Sequence, residues 1–176
     1  AKALTITASN ATKTYGTVQS TPVTGSTAFT SSGLVGSETI GSVTLTYGAG
    51  ALAANAAVGS TSTITPGSAT GGTFTASNYS ITYATGTLTV GAISLTVTAT
   101  GPSKTYGTAL IAGPSATNFT VTGTLASGES LTSVTLTPNA AGLSATTAAG
   151  AAYVVTPSAA TGTGGFLASN YNITYT

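Results

Sequence analysis

Apolar and polar residues alternate over Leu4-Thr5-Ile6-Thr7-Ala8, which puts Leu4, Ile6 and Ala8 on one side of an extended chain. A period of two marks a half-buried strand, so the chain is predicted to open on one. The same alternation over Ser42-Val43-Thr44-Leu45-Thr46-Tyr47 predicts another strand with Val43, Leu45 and Tyr47 inward. Between them, a turn at Asn10 to Thr12 leads into the extended piece Lys13-Thr14-Tyr15, ended by Gly16. Gly25 to Phe29 reads as an irregular or edge strand after Pro22, because proline cannot donate to a ladder. Leu34 to Glu38 reads as a turn, and no stretch supports a helix longer than one turn. Ser60 to Thr65 is a short strand closed by the turn signal Pro66-Gly67, with Ser68 to Thr73 as a loop. Tyr79-Ser80-Ile81-Thr82-Tyr83 then places two tyrosines and an isoleucine on one face, and Ala84-Thr85-Gly86 is expected to turn it as a hairpin into Thr87-Leu88-Thr89-Val90.

The pattern then recurs. Lys13-Thr14-Tyr15-Gly16-Thr17 returns as Lys104-Thr105-Tyr106-Gly107-Thr108, 91 residues later, and at the same offset Leu4 to Ala8 matches Leu95 to Ala99 and Ser42 to Thr46 matches Ser133 to Thr137. One inserted residue on, Ala76 to Tyr83 matches Ala168 to Tyr175. A fixed period means that one folding unit was copied. The fold expected is therefore all-β: two tandem immunoglobulin-like β-sandwich domains end to end, residues 1–91 and 92–176. Only Gly91 to Ser94 lies between Val90 and Leu95, a junction short enough to favour a stiff rod. In the second repeat the match to Gly86-Thr87-Leu88-Thr89-Val90 is missing, so that domain is expected to lack its closing strand. Either a neighbouring subunit supplies the strand or the chain is a fragment of a longer tandem protein.

Composition narrows the function. Three lysines face two glutamates, with no Asp, His, Arg or Cys, and 3% of residues are charged where about 25% is usual. So few cations argue against nucleic acid as a partner. Mean hydropathy is +0.38, yet no apolar run approaches the roughly 20 residues that span a bilayer, so membrane insertion is not expected. A net charge of +1 removes the repulsion that keeps soluble monomers apart. Ala1-Lys2-Ala3 runs straight into a strand pattern, as in a mature product or a fragment of one.

Leu-Thr-Ile-Thr-Ala at Leu4 to Ala8, Lys-Thr-Tyr-Gly at Lys13 to Gly16, the segment Gly33 to Thr39, Asn-Tyr-x-Ile-Thr-Tyr at Asn78 to Tyr83 and Gly-Thr-Leu-Thr-Val at Gly86 to Val90 together resemble the MBG and YDG repeat modules. Those modules occur in arrays in large bacterial surface adhesins, including proteins similar to filamentous haemagglutinins. The resemblance implies an extracellular, repetitive, structural role at the bacterial cell surface and brings no catalytic residues. The modules of that family usually carry more Asp and keep the closing strand.

Enzyme chemistry has little to work with. Without His, Cys or Asp there is no triad, no thiol nucleophile and no paired carboxylates within one repeat, so no cofactor and no catalytic activity are expected. Calcium needs about 6 to 8 oxygen ligands, and one Glu per repeat does not provide them. The sharpest local signal is one Lys, one Glu and one Asn kept at matching places: Lys13, Glu38 and Asn78, then Lys104, Glu129 and Asn170. That inventory suits a Lys to Asn isopeptide crosslink, with a desolvated amine as nucleophile and the Glu moving protons. It equally suits an ion pair, or solvated charges with the Asn capping a turn. Four Asn-x-Ser/Thr triplets, at Asn10, Asn78, Asn118 and Asn172, match the glycosylation signal but arise easily in so Thr-rich a chain. Tyr15, Tyr79 and Tyr83 fit core packing better than a sugar-stacking platform, and strand propensity accounts for Thr-x-Thr pairs that also resemble ice-binding arrays.

The function expected is a structural subunit or tandem-repeat segment of an extracellular bacterial filament or stalk, joined by strand complementation. Its partner would be itself or flanking repeats, and the joint would involve Ala1, Leu4 and Ile6 with Tyr171, Ile173 and Tyr175. The alternative is an adhesin module that recognises surface glycans or a host surface.

Overall fold

In the computed structural model, which describes residues 1–176, the opening alternation becomes β1 (Lys2–Ala8), with Leu4, Ile6 and Ala8 buried. The chain divides into two units, Ala1–Gly91 and Ala92–Thr176, each holding two β-sheets.

Unit 1 continues with β2 (Ala11–Thr14), β3 (Val23–Ser26), β4 (Phe29–Ser32), β5 (Ile40–Tyr47), β6 (Thr61–Gly72), β7 (Tyr79–Ala84) and β8 (Gly86–Gly91). One sheet has the order β4-β1-β7 and the other β2-β8-β6-β5-β3. Two pairings are parallel: β1 with β7, where Leu4 faces Ile81, and β2 with β8, where Lys13 faces Val90. Leu4 and Ile6 from the first sheet and Val43, Leu45, Ile64, Leu88 and Val90 from the second are almost wholly buried and form the core. Each such side chain contributes about 1.5 to 3 kcal/mol through removal from water.

Unit 2 contains β9 (Ile93–Ala99), β10 (Gly113–Ser115), β11 (Phe119–Thr122), β12 (Ser130–Pro138), α1 (Ala140–Leu143), β13 (Val155–Thr163) and β14 (Tyr171–Tyr175). Its sheets have the orders β11-β9-β14 and β10-β12-β13, around a core of Leu95, Val97, Val134 and Leu136. The single helical turn α1 is capped by Asn139, whose side chain accepts from Gly142 N at 3.0 Å.

Four local expectations are corrected. Pro66-Gly67 does not end its strand, because β6 runs on to Gly72 with Pro66 opposite Leu45 and Gly67 opposite Thr44. Thr63 O accepts from Gly48 N, so Thr63 and Thr65 aim their backbone groups at β5 and Pro66 aims its donorless nitrogen at the other edge, past the last β8 pair, Ile64 with Gly86. The following residue, Ser68, adopts φ 48° at a bulge, and Tyr83 Oη accepts from Ala69 N at 3.0 Å. Second, β7 and β8 are not a hairpin: Thr85 alone separates them, and they belong to different sheets. Third, strand begins at Ala11 rather than turning through Thr12, because β8 offers Leu88 and Thr89 as partners there. Fourth, the Gly25 to Phe29 stretch is divided between β3 and β4, one in each sheet.

Candidate functional site

Each repeat builds a clamp from one tyrosine and one glutamate. Tyr79 leads β7, and its hydroxyl donates to Glu38 Oε2 while accepting from Val35 N at 3.0 Å. In unit 2 the hydroxyl of Tyr171 donates to Glu129 Oε2 at 2.6 Å and accepts from Ala126 N at 3.0 Å. The bond to Glu38, burial and the nearby negative charge all raise the Tyr79 pKa from 10.0, against a smaller lowering by Val35 N–H. A loop is thereby tied to the start of a strand in both units.

The lysines have other partners. Lys13 is 7% exposed and donates from Nζ to the carbonyls of Thr17 and Ala53, each at 2.6 Å, with burial lowering its pKa from 10.5. Lys104 donates to Ala141 O at 3.0 Å and to Ser144 O, and its ammonium lies 5.9 Å from the centre of the Tyr153 ring. Lysine and glutamate of one repeat thus hold different groups, one on backbone carbonyls and the other on a tyrosine. Asn78 ends an exposed helical turn, Ala76–Asn78, whereas Asn170 at the matching place is buried. No group of three or more His, Cys, Asp or Glu side chains is placed to hold a metal.

The expected joint residues lie inside paired strands. Ala1 is exposed just before β1, while Leu4 and Ile6 are buried opposite Ile81 and Tyr83. Tyr171, Ile173 and Tyr175 sit in β14, opposite Ile93, Leu95 and Val97.

The place of β8 falls after Thr176 in the repeat, and Ser103 to Thr105, which matches part of β2, is not a strand here, β8 being the sole partner of β2 in unit 1. Apolar residues are exposed in unit 2. Tyr106 is 65% exposed where its match Tyr15 is 3% exposed, and Val154 is 61% exposed. A cavity of ≈ 300 Å³ lies along Ala99 to Ser103, and another of ≈ 240 Å³ lies between Tyr106 and Thr147 to Ala151. Tyr153 lines both, and its hydroxyl donates to Pro102 O at 2.9 Å. Tyr106, Tyr153 and Val154 escaped sequence reasoning, although Tyr106 belongs to the most obvious repeated motif. The signal available was the missing match to Gly86 to Val90; which residues that strand covers is set by its pairing.

No curated protein and no solved structure matches the chain. A family model described as MBG domain (YGX type) matches it twice, over residues 4–89 and 95–176, one match within each unit. With nearly the whole length matched, this chain belongs to the MBG domain family, an all-β repeat module found in bacterial surface proteins.

Proposed function

We propose that the chain is a structural tandem-repeat segment of an extracellular bacterial filament or stalk, built from two immunoglobulin-like sandwiches. The observation that carries this reading is the double match of one repeat module of bacterial surface proteins, over residues 4–89 and 95–176. A net charge of +1 over 176 residues gives little repulsion between copies. The residues that remain uncommitted to packing are mostly Thr, Ser, Ala and Gly, which suit an inert surface better than a reacting one.

Negative-stain microscopy of native material, with size-exclusion chromatography alongside, tests the reading. Uniform filaments, or long stalks of repeated modules, are expected. A monodisperse short particle that binds a glycan and never associates would replace the reading with that of an adhesin module.

A further inference from the structure

We infer that the first and last strands of unit 1 form a shear clamp that carries tension along the chain, which makes this module a load-bearing element and not merely a spacer. This deepens the reading above and rests on it for the source of the load.

β1 and β7 run parallel, from Lys2 opposite Tyr79 to Thr7 opposite Ala84. β2 and β8 run parallel in the other sheet, from Ala11 opposite Leu88 to Thr14 opposite Gly91. In every one of these pairs the partner lies 77 positions further on, with no bulge, whereas β5 pairs with both β3 and β6 through shifts of register. Residues 2–14 and 79–91 are therefore one parallel pair that crosses from the first sheet to the second without losing step.

The crossing itself is bridged. Asn10 Oδ1 accepts from Thr87 N at 2.8 Å, so a side chain supplies a rung at the same offset of 77. Gly86 brings the two chains together backbone to backbone, since a Cβ there would lie 2.6 Å from Ala8 O. Past the last pair, Tyr15 N donates to Gly91 O at 2.8 Å.

Lys2 stands at one end of this pair and Gly91 at the other. Tension applied before β1 and after β8 therefore pulls the two chains lengthwise past each other. The rungs of a parallel ladder are evenly spaced, so they share that load and have to break together. Pulled apart from one end, the same rungs break one at a time. Sliding also has to strip Leu4, Ile6, Leu88 and Val90 from the core, where each is no more than 1% exposed. The outer sides of β1 and β8 are held by β4 and β6. Lys13 anchors β2 from its own side chain, donating from Nζ to Thr17 O and Ala53 O at 2.6 Å each. Unit 2 repeats the first part of the arrangement, with β9 and β14 parallel from Ile93 opposite Tyr171 to Val97 opposite Tyr175.

The chain has no cysteine, so thiol handles can be placed singly. In the full-length chain, handles at Ala1→Cys and Ala92→Cys load the pair in shear, and handles at Ala1→Cys and Ser77→Cys open it from the Lys2 end; all three positions are exposed. Single-molecule extension should give at least about twice the unfolding force in the first geometry, where six pairs of one sheet and four of the other resist at once. Asn10→Ala should speed unfolding at fixed load by roughly two- to tenfold in the shear geometry, one hydrogen bond's net worth, and leave the opening geometry unchanged. Asn10→Asp, which keeps the acceptor, should keep the wild-type rate. Equal denaturant midpoints serve as the check that the handle variants are folded. Equal force in both geometries, or an Asn10→Ala effect of the same size in both, would overturn the clamp. Direction-dependent force in a chain that builds no filament or stalk leaves the clamp standing and removes the filament reading. Filaments whose modules yield equally in both geometries do the reverse.

Discussion

Tyr15 and Tyr106 occupy the same place in the repeated Lys-Thr-Tyr-Gly-Thr motif, yet one is 3% and the other 65% exposed. In unit 1 the end of β8 lies beside the first, with Tyr15 N donating to Gly91 O at 2.8 Å. Truncation should therefore be costly at one site alone. Tyr15→Ala is expected to destabilise unit 1 by about 3 to 5 kcal/mol, and Tyr106→Ala to change unit 2 by no more than about 0.5 kcal/mol. Denaturant unfolding followed by amide exchange in each unit measures both.

Removing the clamp hydroxyl in unit 2 leaves Ala126 N–H and the Glu129 carboxylate each without that partner. Tyr171→Phe should cost about 1 to 3 kcal/mol, the usual penalty for stranding buried polar groups. The loss should be confined to exchange in residues 92–176; equal loss in both units would mean the clamp acts otherwise than as a local tie.

Lys13 and Tyr79 should make the stability of unit 1 depend on pH in alkali, in two opposing steps. Lys13 has its pKa lowered below 10.5 by burial, so between the lowered value and 10.5 the unfolded chain binds more protons and stability rises with pH. Tyr79 has its pKa raised above 10.0, so above 10.0 the unfolded chain ionises first and stability falls as pH climbs through the raised value. Unfolding measured in steps of about one pH unit from about pH 8 to pH 11 should lose the rise in Lys13→Met and the fall in Tyr79→Phe. A Lys13→Met profile that keeps the rise, or a Tyr79→Phe profile that keeps the fall, would contradict the respective assignment.

Because Lys13 Nζ is engaged by Thr17 O and Ala53 O, and Glu38 by Tyr79, an intact mass equal to that of the unmodified sequence is expected. Loss of one ammonia per repeat would mean instead that an amine reaches an asparagine amide.

Alternation at Leu4 to Ala8 and Ser42 to Tyr47 was enough to place two strands and their inward residues, since side-chain direction in a strand is a local property. The copied motifs likewise announced two similar units and the family they belong to. Sheet membership was another matter. That Thr85 carries the chain from one sheet to the other, or that β6 passes through Pro66, depends on which distant strand offers an edge, and pairing between distant strands leaves no local mark. The Tyr79 to Glu38 clamp was hidden for the same reason, being a contact between residues far apart in the chain. Sequence by itself determined that the module recurs, with Lys-Thr-Tyr-Gly-Thr in both halves. Only the tertiary structure decided that Tyr15 is buried where Tyr106 is exposed and that Tyr153 reaches Pro102, because a buried face is defined by what packs over it.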